Sequence, residues 1–560
     1  MKCNGAEIVI KLLEEQDIQK LAGIPGGCNL PLYNALSKSR KIQHILARHE
    51  QGAGFIAQGM ARTTGKAAVC FATSGPGVTN LLTAIADAKL DSIPIVAITG
   101  QIPSFLLGTD AFQEVDTFGL AIPITKHNFY VSSAKDLFHI IPEAFRVAEE
   151  GRPGPVIVDI PKDVQLEELE IDNWPAHVTK SDSNLLKNNS IDINDIKKIA
   201  QMINESKKPL LYIGGGILHS NSSNYLREFA KKSNIPVAST LMGLGCFPSD
   251  DKLSLGMLGM HGAPYTNLIL RETDLLIAFG VRFDDRATGN ISEFCPKASI
   301  IHVDIDPAEL DKNKLTKFSV AADIQIVLKE LIPLIKEDGR EEWSKEVATI
   351  KKSNPLPVTD YYNFYQPINL IRQIGSLLTP DTIITTDVGQ HQMWVAQAYP
   401  FQHPRTLLTS GGLGTMGFGL PVAIGAALAN PSKKVVCISG DGSILMNIQE
   451  LATLADHNLN ITVIVINNGG LGMVRQLQEL FFDENYIATK FECKPDFTSI
   501  AKSFGLKGYD LKDDKNPSNT LKRILSESGP CVINIPVDSK EMVMPIVPPG
   551  AGNHEMIGSE

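Results

Sequence analysis

Short apolar runs rich in Val, Ile and Ala alternate along the 560 residues with longer stretches in which apolar positions recur every three or four residues. The first pattern predicts strands buried on both faces and the second predicts amphipathic helices covering them. The expected fold class is therefore α/β, with parallel sheets flanked by helices. Two polar stretches without an apolar period, around Lys180 to Asn194 and around Lys336 to Asn354, read as linkers. They divide the chain into three regions, 1–167, 190–340 and 362–548, and a chain of this length is too long for one core. The first and third regions echo each other. Lys66 to Gly77 (KAAVCFATSGPG) leads into a helix with Leu81, Leu82, Ile85 and Ala86 inward and a strand at Ile93 to Thr99. Lys434 to Gly442 leads likewise into Ile448, Leu451, Ala452 and Ala455 and a strand at Ile461 to Ile466.

Composition narrows the class. Hydrophobic residues at 43% and charged residues at 20% describe an ordinary globular protein. A net charge of −10 without a Lys/Arg block excludes a nucleic-acid footprint. No run approaches the roughly 18 apolar residues of a membrane span, and the N-terminus lacks a signal core, so no membrane association and a cytoplasmic location are expected. The eight cysteines are scattered without a CxxC pair and read as reduced, mostly buried thiols.

The strongest local signal is Gly440-Asp441-Gly442 after a predicted strand, followed by a helix, a buried strand and Asn467-Asn468. A diphosphate is held well by a hard divalent cation with oxygen ligands in near-octahedral geometry. Asp441 supplies an anionic ligand, the Asn468 amide a neutral one, and the Gly470 carbonyl completes the protein's share. The glycines let the backbone approach the phosphates. A lone GDG also makes ordinary turns, but the joint pattern resembles the diphosphate signature of thiamine-diphosphate enzymes. That resemblance implies Mg²⁺ on Asp441, Asn468 and Gly470, with Gly440, Gly442, Ser443, Leu471, Gly472 and Met473 around the coenzyme. It implies a second diphosphate clamp at Val388, Gly389, Gln390 and His391, and Gly414 and Met416 beneath the bend of the coenzyme. It also implies that Glu50, in Arg48-His49-Glu50-Gln51-Gly52-Ala53, ends a strand of the first domain and shares a proton with the aminopyrimidine of a partner subunit's coenzyme.

From Gly23 to the terminal VPPGAGNHEM the chain resembles the acetohydroxyacid synthases, also called acetolactate synthases. The likeness rests on Gly26-Gly27-Cys28, the Glu50 motif, GTDAFQE at Gly108 to Glu114, GRPGP at Gly151 to Pro155 and RFDDR at Arg282 to Arg286. It implies a pyrimidine-binding first domain, a central FAD domain and a diphosphate-binding third domain. In the middle region Gly214-Gly215-Gly216 ends one buried run, and Leu275 to Gly280 and Ile300 to Asp306 end two more, so a dinucleotide can lie across strand ends. The family resemblance adds Arg152, Thr240, Leu241, Gly259, Met260, His261, Gly280, Arg282, Asp284, Arg286, Asp304, Ile305 and Asp323 to the FAD site. Gly27, Cys28, Phe112, Gln113 and Lys162 would line the approach to the thiazolium, and Arg286 would meet the acceptor's carboxylate with its bidentate fork.

The implied activity is decarboxylation of pyruvate and condensation of the two-carbon unit with a second pyruvate or with 2-oxobutyrate, the first common step of valine, leucine and isoleucine biosynthesis. The implied partners are these 2-oxo acids, a second copy of the chain in a homodimer or homotetramer with the site between subunits, and a separate regulatory small subunit. Leu477 stands where many relatives carry tryptophan, which predicts weak preference for 2-oxobutyrate. The alternative on the same architecture is an FAD-dependent pyruvate oxidase.

Overall fold

The computed structural model describes residues 2–174, 191–337, 339–358, 360 and 362–559. Its first sheet contains β1 (Lys20–Gly23), β2 (Gln43–Leu46), β3 (Ala68–Ala72), β4 (Ile95–Gln101), β5 (His127–Tyr130) and β6 (Val156–Pro161), in the order β2-β1-β3-β4-β6-β5. The central sheet contains β7 (Pro209–Ile213), β8 (Val237–Ser239), β9 (Ser254–Met257), β10 (Leu275–Phe279), β11 (Ser299–Asp304) and β12 (Phe318–Ala321), ordered β9-β8-β7-β10-β11-β12. The third contains β13 (Ile383–Thr386), β14 (Leu407–Leu408), β15 (Val435–Gly440), β16 (Ile461–Asn467), β17 (Lys507–Asp510) and β18 (Cys531–Pro536), ordered β14-β13-β15-β16-β18-β17.

Neighbouring strands run parallel in all three sheets, for example β3 on β4, β10 on β11 and β15 on β16. Their sequences explain this: AVCFA in β3 and VVCISG in β15 are buried at every position, as strands covered on both faces must be. The third sheet repeats the first strand for strand, so the echo seen in the sequence is a shared topology. The central sheet, also parallel, has a different strand order, which reverses between its adjacent strands β7 and β10, a switch point of the kind where doubly wound sheets open a crevice for dinucleotides.

Five helices position the site: α1 (Glu50–Thr64), α2 (Pro76–Leu90), α3 (Gly419–Ala429), α4 (Asp441–Ile444) and α5 (Gly472–Phe481). On α2 the fully buried face is Leu81, Ala84, Ile85 and Ala88, with Leu82 and Ala86 only half-buried, and β4 begins at Ile95 and not Ile93. Helices α1 and α3 cross so closely that a Cβ on Gly425 would lie 2.0 Å from the Ile56 carbonyl oxygen. The same contact would put a Cβ on Gly59 2.2 Å from the Val422 carbonyl oxygen. Phe55 and Phe418 meet edge to face beside it, at 5.2 Å, so the first and third domains share one core.

Of the two expected linkers, residues 180–190 lie outside the described residues. The other contains a helix, Glu341–Ser353. Its Trp343 is buried on the central sheet, with Nε1 donating to the Pro209 carbonyl at 3.0 Å, and Val347 packs in the same cluster. The apolar period is present there, but with one buried position per turn amid Glu and Lys it is too sparse to stand out. Six cysteines are buried, Cys3 is half-buried and Cys493 is exposed, all as free thiols. Among the described residues no helix is long and apolar enough to cross a membrane.

Candidate active site

The carboxyl ends of β15 and β16 lie side by side, and each delivers one polar side chain to the same place. Asp441 follows β15 as the first residue of α4; it is buried, and burial pushes its carboxyl up to about 6. Asn468 follows β16, its Nδ2 donating to Gln390 Oε1 at 3.2 Å and its Oδ1 accepting the Gly470 N–H at 3.2 Å. Side chains are excluded around this pair. A Cβ on Gly472 would fall 2.2 Å from Asn468 Nδ2, and one on Gly440 would fall 3.0 Å from the His391 ring. The result is a cradle at a strand-to-helix turn in which glycine backbone packs directly against the side chains of Asn468, Gln390 and His391.

His391 is buried, and burial pushes its pKa down to about 3, so the ring is neutral. Its Nε2 has no hydrogen-bond partner among the described residues. A buried polar atom left unpaired costs about 1–3 kcal/mol, and an oxygen of a bound anion would satisfy it. Among the described residues no three His, Cys, Asp or Glu side chains form a metal cluster. One carboxylate plus neutral oxygens is instead the donor set for a Mg²⁺ that takes its remaining ligands from phosphate. The residues therefore fit a metal-bound diphosphate. Gln390 spends its Nε2 on Gln476 Oε1 at 3.0 Å and the Glu541 carbonyl at 2.8 Å, so it braces Asn468.

The turn bearing Met416 is set by a residue that the sequence did not single out. Asp387 is buried, and its carboxylate accepts N–H bonds from Val388 at 2.9 Å, Gly417 at 2.8 Å and Gly419 at 3.2 Å. It thereby ties the Val388-Gly389 turn to the Met416 turn. Both turns need glycine, with φ of +148° at Gly389 and +86° at Gly417.

A second group of side chains sits at the carboxyl edge of the first sheet. Glu50 is the first residue of α1, not the end of strand β2, which stops at Leu46. Asn80 Nδ2 donates to Glu50 Oε2 at 3.0 Å. The turn before it is held from the third domain: buried Glu450 accepts the Arg48 N–H at 2.9 Å, and a Cβ on Gly52 would strike the same carboxylate. The Cys28 N–H points to Thr73 Oγ1 at 3.3 Å, while Gly27 faces open space. Gln113, at φ +65°, packs on Gly75.

Its loop is pinned at both ends. Asp163, next to Lys162, accepts from the Ser104 N–H at 2.9 Å. Gln101 Nε2 donates to the Val115 carbonyl at 3.2 Å and to Asp159 Oδ2 at 3.0 Å. Phe112, at the tip, is 87% exposed.

Between the domains lies a cavity of about 1110 Å³. Every expected FAD residue except Gly259 lines it, from Arg152 and Gly214–Gly216 to Asp304, Ile305 and Asp323. At the β7 and β10 ends the backbones touch, since a Cβ on Gly280 (φ +61°) would fall 2.5 Å from Gly216 Cα. This is a crevice of the size and lining that a dinucleotide needs. Arg152 spends Nη1 on Glu309 at 2.6 Å and Asp306 at 3.1 Å, and Asp323 caps the helix Ile324–Leu331. Arg286 is 70% exposed, with Asp285 3.6 Å from its Nε and its Nη1 donating to Met260 Sδ at 3.5 Å.

Val388, Gly389, Gly414, Met416, Met473 and Leu477 line the same cavity. Glu50, Gly27, Cys28, Phe112, Gln113 and Lys162 do not, and neither do Asp441, Asn468 and Gly470.

Three family models match the chain: the thiamine pyrophosphate enzyme N-terminal TPP binding domain at residues 3–120, its central domain at 196–331 and its C-terminal TPP binding domain at 387–535. The chain is 53% identical to the acetolactate synthase isozyme 1 large subunit of Escherichia coli (strain K12), over 99% of this chain and 97% of that one. The chain belongs to the acetolactate synthase family of thiamine pyrophosphate enzymes. Its likeness to the isozyme 2 large subunit of the same organism is 45%, over 99% of both chains. To the chloroplastic acetolactate synthase of Arabidopsis thaliana it is 43%, over 99% of this chain and 84% of that one. In this acetolactate synthase family member, Glu50 stands at the carboxyl edge of the first sheet and Asp441 and Asn468 at that of the third. Asp387 and Glu450 are further supports that no local motif announces.

Proposed function

We propose that this chain is the catalytic subunit of an acetolactate synthase, joining two 2-oxo acids with loss of CO₂. The observation that carries the reading is the paired delivery of Asp441 and Asn468 from adjacent parallel strands to a glycine-lined turn beside the unpaired His391 Nε2. Asp441, the Asn468 amide and the Gly470 carbonyl would hold Mg²⁺, and Gly440, Gly442, Ser443 and the Leu471-Gly472-Met473 turn would surround the diphosphate. Thiamine diphosphate, when bound, supplies a nucleophilic carbon and an electron sink for decarboxylating a 2-oxo acid.

The chain's own residues do the rest. Glu50 would hold or give up a proton at its carboxylate toward the coenzyme's aminopyrimidine, and Met416 would pack against the bound coenzyme. Gln113, Phe112, Lys162, Gly27 and Cys28 border the reacting carbon. Arg286, exposed at the cavity wall, receives the acceptor's carboxylate. The cavity residues named above hold FAD, which has no net redox task in this condensation. Phe112 and Phe482, 87% and 65% exposed beside the two half-sites, support a homodimer or homotetramer in which Glu50 serves a neighbouring copy. A regulatory small subunit and a cytoplasmic location complete the proposal.

Leu477 lines the cavity with Met473, Val474, Phe481 and Phe482, an apolar wall that separates pyruvate from 2-oxobutyrate by one methylene, worth about 1–3 kcal/mol at most. The test is an anaerobic assay with thiamine diphosphate, Mg²⁺, FAD and equal pyruvate and 2-oxobutyrate. Acetolactate and acetohydroxybutyrate should both form in comparable amounts. Products only when oxygen or a quinone is supplied would replace this reading with the oxidase, and a strong bias to acetohydroxybutyrate would overturn the role given to Leu477.

A further inference from the structure

Helix α1, helix α2 and the residue that ends α2 carry a fully buried ionic triad in the first domain. Arg62 Nη2 donates to Asp87 Oδ1 at 3.1 Å and to Asp91 Oδ2 at 2.8 Å, with side chains 3%, 0% and 0% exposed. The other hydrogen bonds that the two carboxylates accept all come from one segment of the third domain. Asp87 Oδ2 accepts the hydroxyls of Ser410 and, at 3.0 Å, of Thr415. Asp91 accepts the N–H of Gly411 at 3.1 Å and of Gly412 at 2.7 Å. Arg62 Nη1 reaches the Thr409 carbonyl at 3.1 Å, and the Thr415 N–H closes the loop on Ser410 Oγ at 2.9 Å. Glycine is required at this seam, since a Cβ on Gly412 would lie 2.7 Å from Leu90 Cβ.

A buried ion pair is a poor source of stability, because desolvation consumes most of its attraction and apolar side chains of similar volume do as well. Two acids against one guanidinium are poorer still, and burial together with Asp91 pushes Asp87 up to about 6. What the triad does deliver is geometry. It fixes five residues, Thr409 to Gly412 and Thr415, of the strand-to-loop segment that runs directly into Met416. The far side of Met416 is fixed independently by Asp387 through Gly417 and Gly419.

We propose that Arg62, Asp87 and Asp91 are positioning residues for Met416, setting the support of the coenzyme's bend from the opposite domain. The inference rests on the reading of Met416 given above. Reactivity at a bent coenzyme depends steeply on placement, and a misplacement of about 1 Å can cost on the order of a hundredfold.

The test uses the full chain with Asp91→Asn, Thr415→Val and Thr415→Ser. Hydrogen exchange without added coenzyme reads the segment directly. In Asp91→Asn the Gly411 and Gly412 amides should exchange at least about tenfold faster, while Gly417 and Gly419, held by Asp387, stay protected. In Thr415→Val, kcat should fall about tenfold or more with the KM for pyruvate within about twofold, and calorimetric titration should show weaker thiamine diphosphate binding. Thr415→Ser, which keeps the hydroxyl, should restore both, and both Thr415 variants should retain FAD as the parent does, while Asp91→Asn, which leaves Arg62 facing one buried acid, should melt lower.

Unchanged exchange at Gly411 and Gly412 would overturn the inference, as would a Thr415→Val protein with the parent's kcat and coenzyme affinity. So would a Thr415→Ser protein as impaired as Thr415→Val. A parent chain that takes up no thiamine diphosphate would defeat the functional reading as well, and that result is distinct from a parent that binds while its variants bind equally well.

Discussion

Asp159 illustrates how a single buried acid works at a distance from the reacting groups. It stands in β6, 5% exposed, and its carboxylate accepts the Thr99 hydroxyl at 2.6 Å and Gln101 Nε2 at 3.0 Å. Gln101 in turn holds Val115, two residues beyond Gln113, so the acid underpins the loop whose tip carries Phe112. Burial pushes the Asp159 carboxyl up to about 6, well above the ordinary carboxylate value. The folded chain therefore binds this proton more tightly than the unfolded chain does. The associated stabilisation is complete below about pH 4 and is lost as pH rises through about 6, an effect of roughly 2–3 kcal/mol. Asp159→Asn should consequently show a smaller fall in melting temperature between pH 5 and pH 7.5 than the parent. Identical pH dependence in the two proteins would remove Asp159 from this account.

Among the elements, the crossing of α1 and α3 joins the halves of the chain. The Gly59 and Gly425 backbones are in contact there, and the added methyl of Gly425→Ala would meet the Ile56 carbonyl, a backbone atom that cannot swing away. Overpacking of this kind costs about 1–3 kcal/mol, so Gly425→Ala should lower the melting temperature and loosen the first domain from the third. Calorimetry would check both, and a variant that melts with the parent would show that the helices can part freely.

Neither glycine stands out in the sequence, and the reason is general for this chain. Asp441 and Asn468 were legible because adjacent parallel strands present their carboxyl ends at a fixed spacing. The strand pattern was legible because β3 and β15 are apolar throughout, and the matching order of the first and third sheets was foreshadowed by their local likeness. Glu450 was not, since the Arg48 N–H it accepts lies 402 positions away. Asp387 and the Arg62 triad act through contacts of the same long-range kind. The helix Glu341–Ser353 was missed for another reason, its apolar face being only Trp343, Val347 and a half-buried Ile350 among charged neighbours.

At the scale of the whole molecule, both half-sites are bordered by apolar side chains that one chain leaves uncovered. Phe105, Phe112 and Ile122 of the first domain are 74%, 87% and 58% exposed, and Met446, Phe482 and Ile487 of the third are 52%, 65% and 72% exposed. Patches of this kind mark association surfaces. If a second copy covers them, each complete site takes Glu50 from one chain and Asp441 from the other. Glu50→Gln and Asp441→Ala homodimers should then each be inactive. A hybrid dimer places both substitutions in one site and leaves the other intact, so two inactive proteins should complement. Random reassociation of equal amounts makes about half the dimers hybrid, and about a quarter of all sites should be restored. Acetolactate formation by the mixture, rising with time of subunit exchange, is the readout. A mixture as inactive as its parents, under conditions where mass measurement shows hybrids, would place Glu50 and Asp441 of one chain in the same site and end the shared-site proposal.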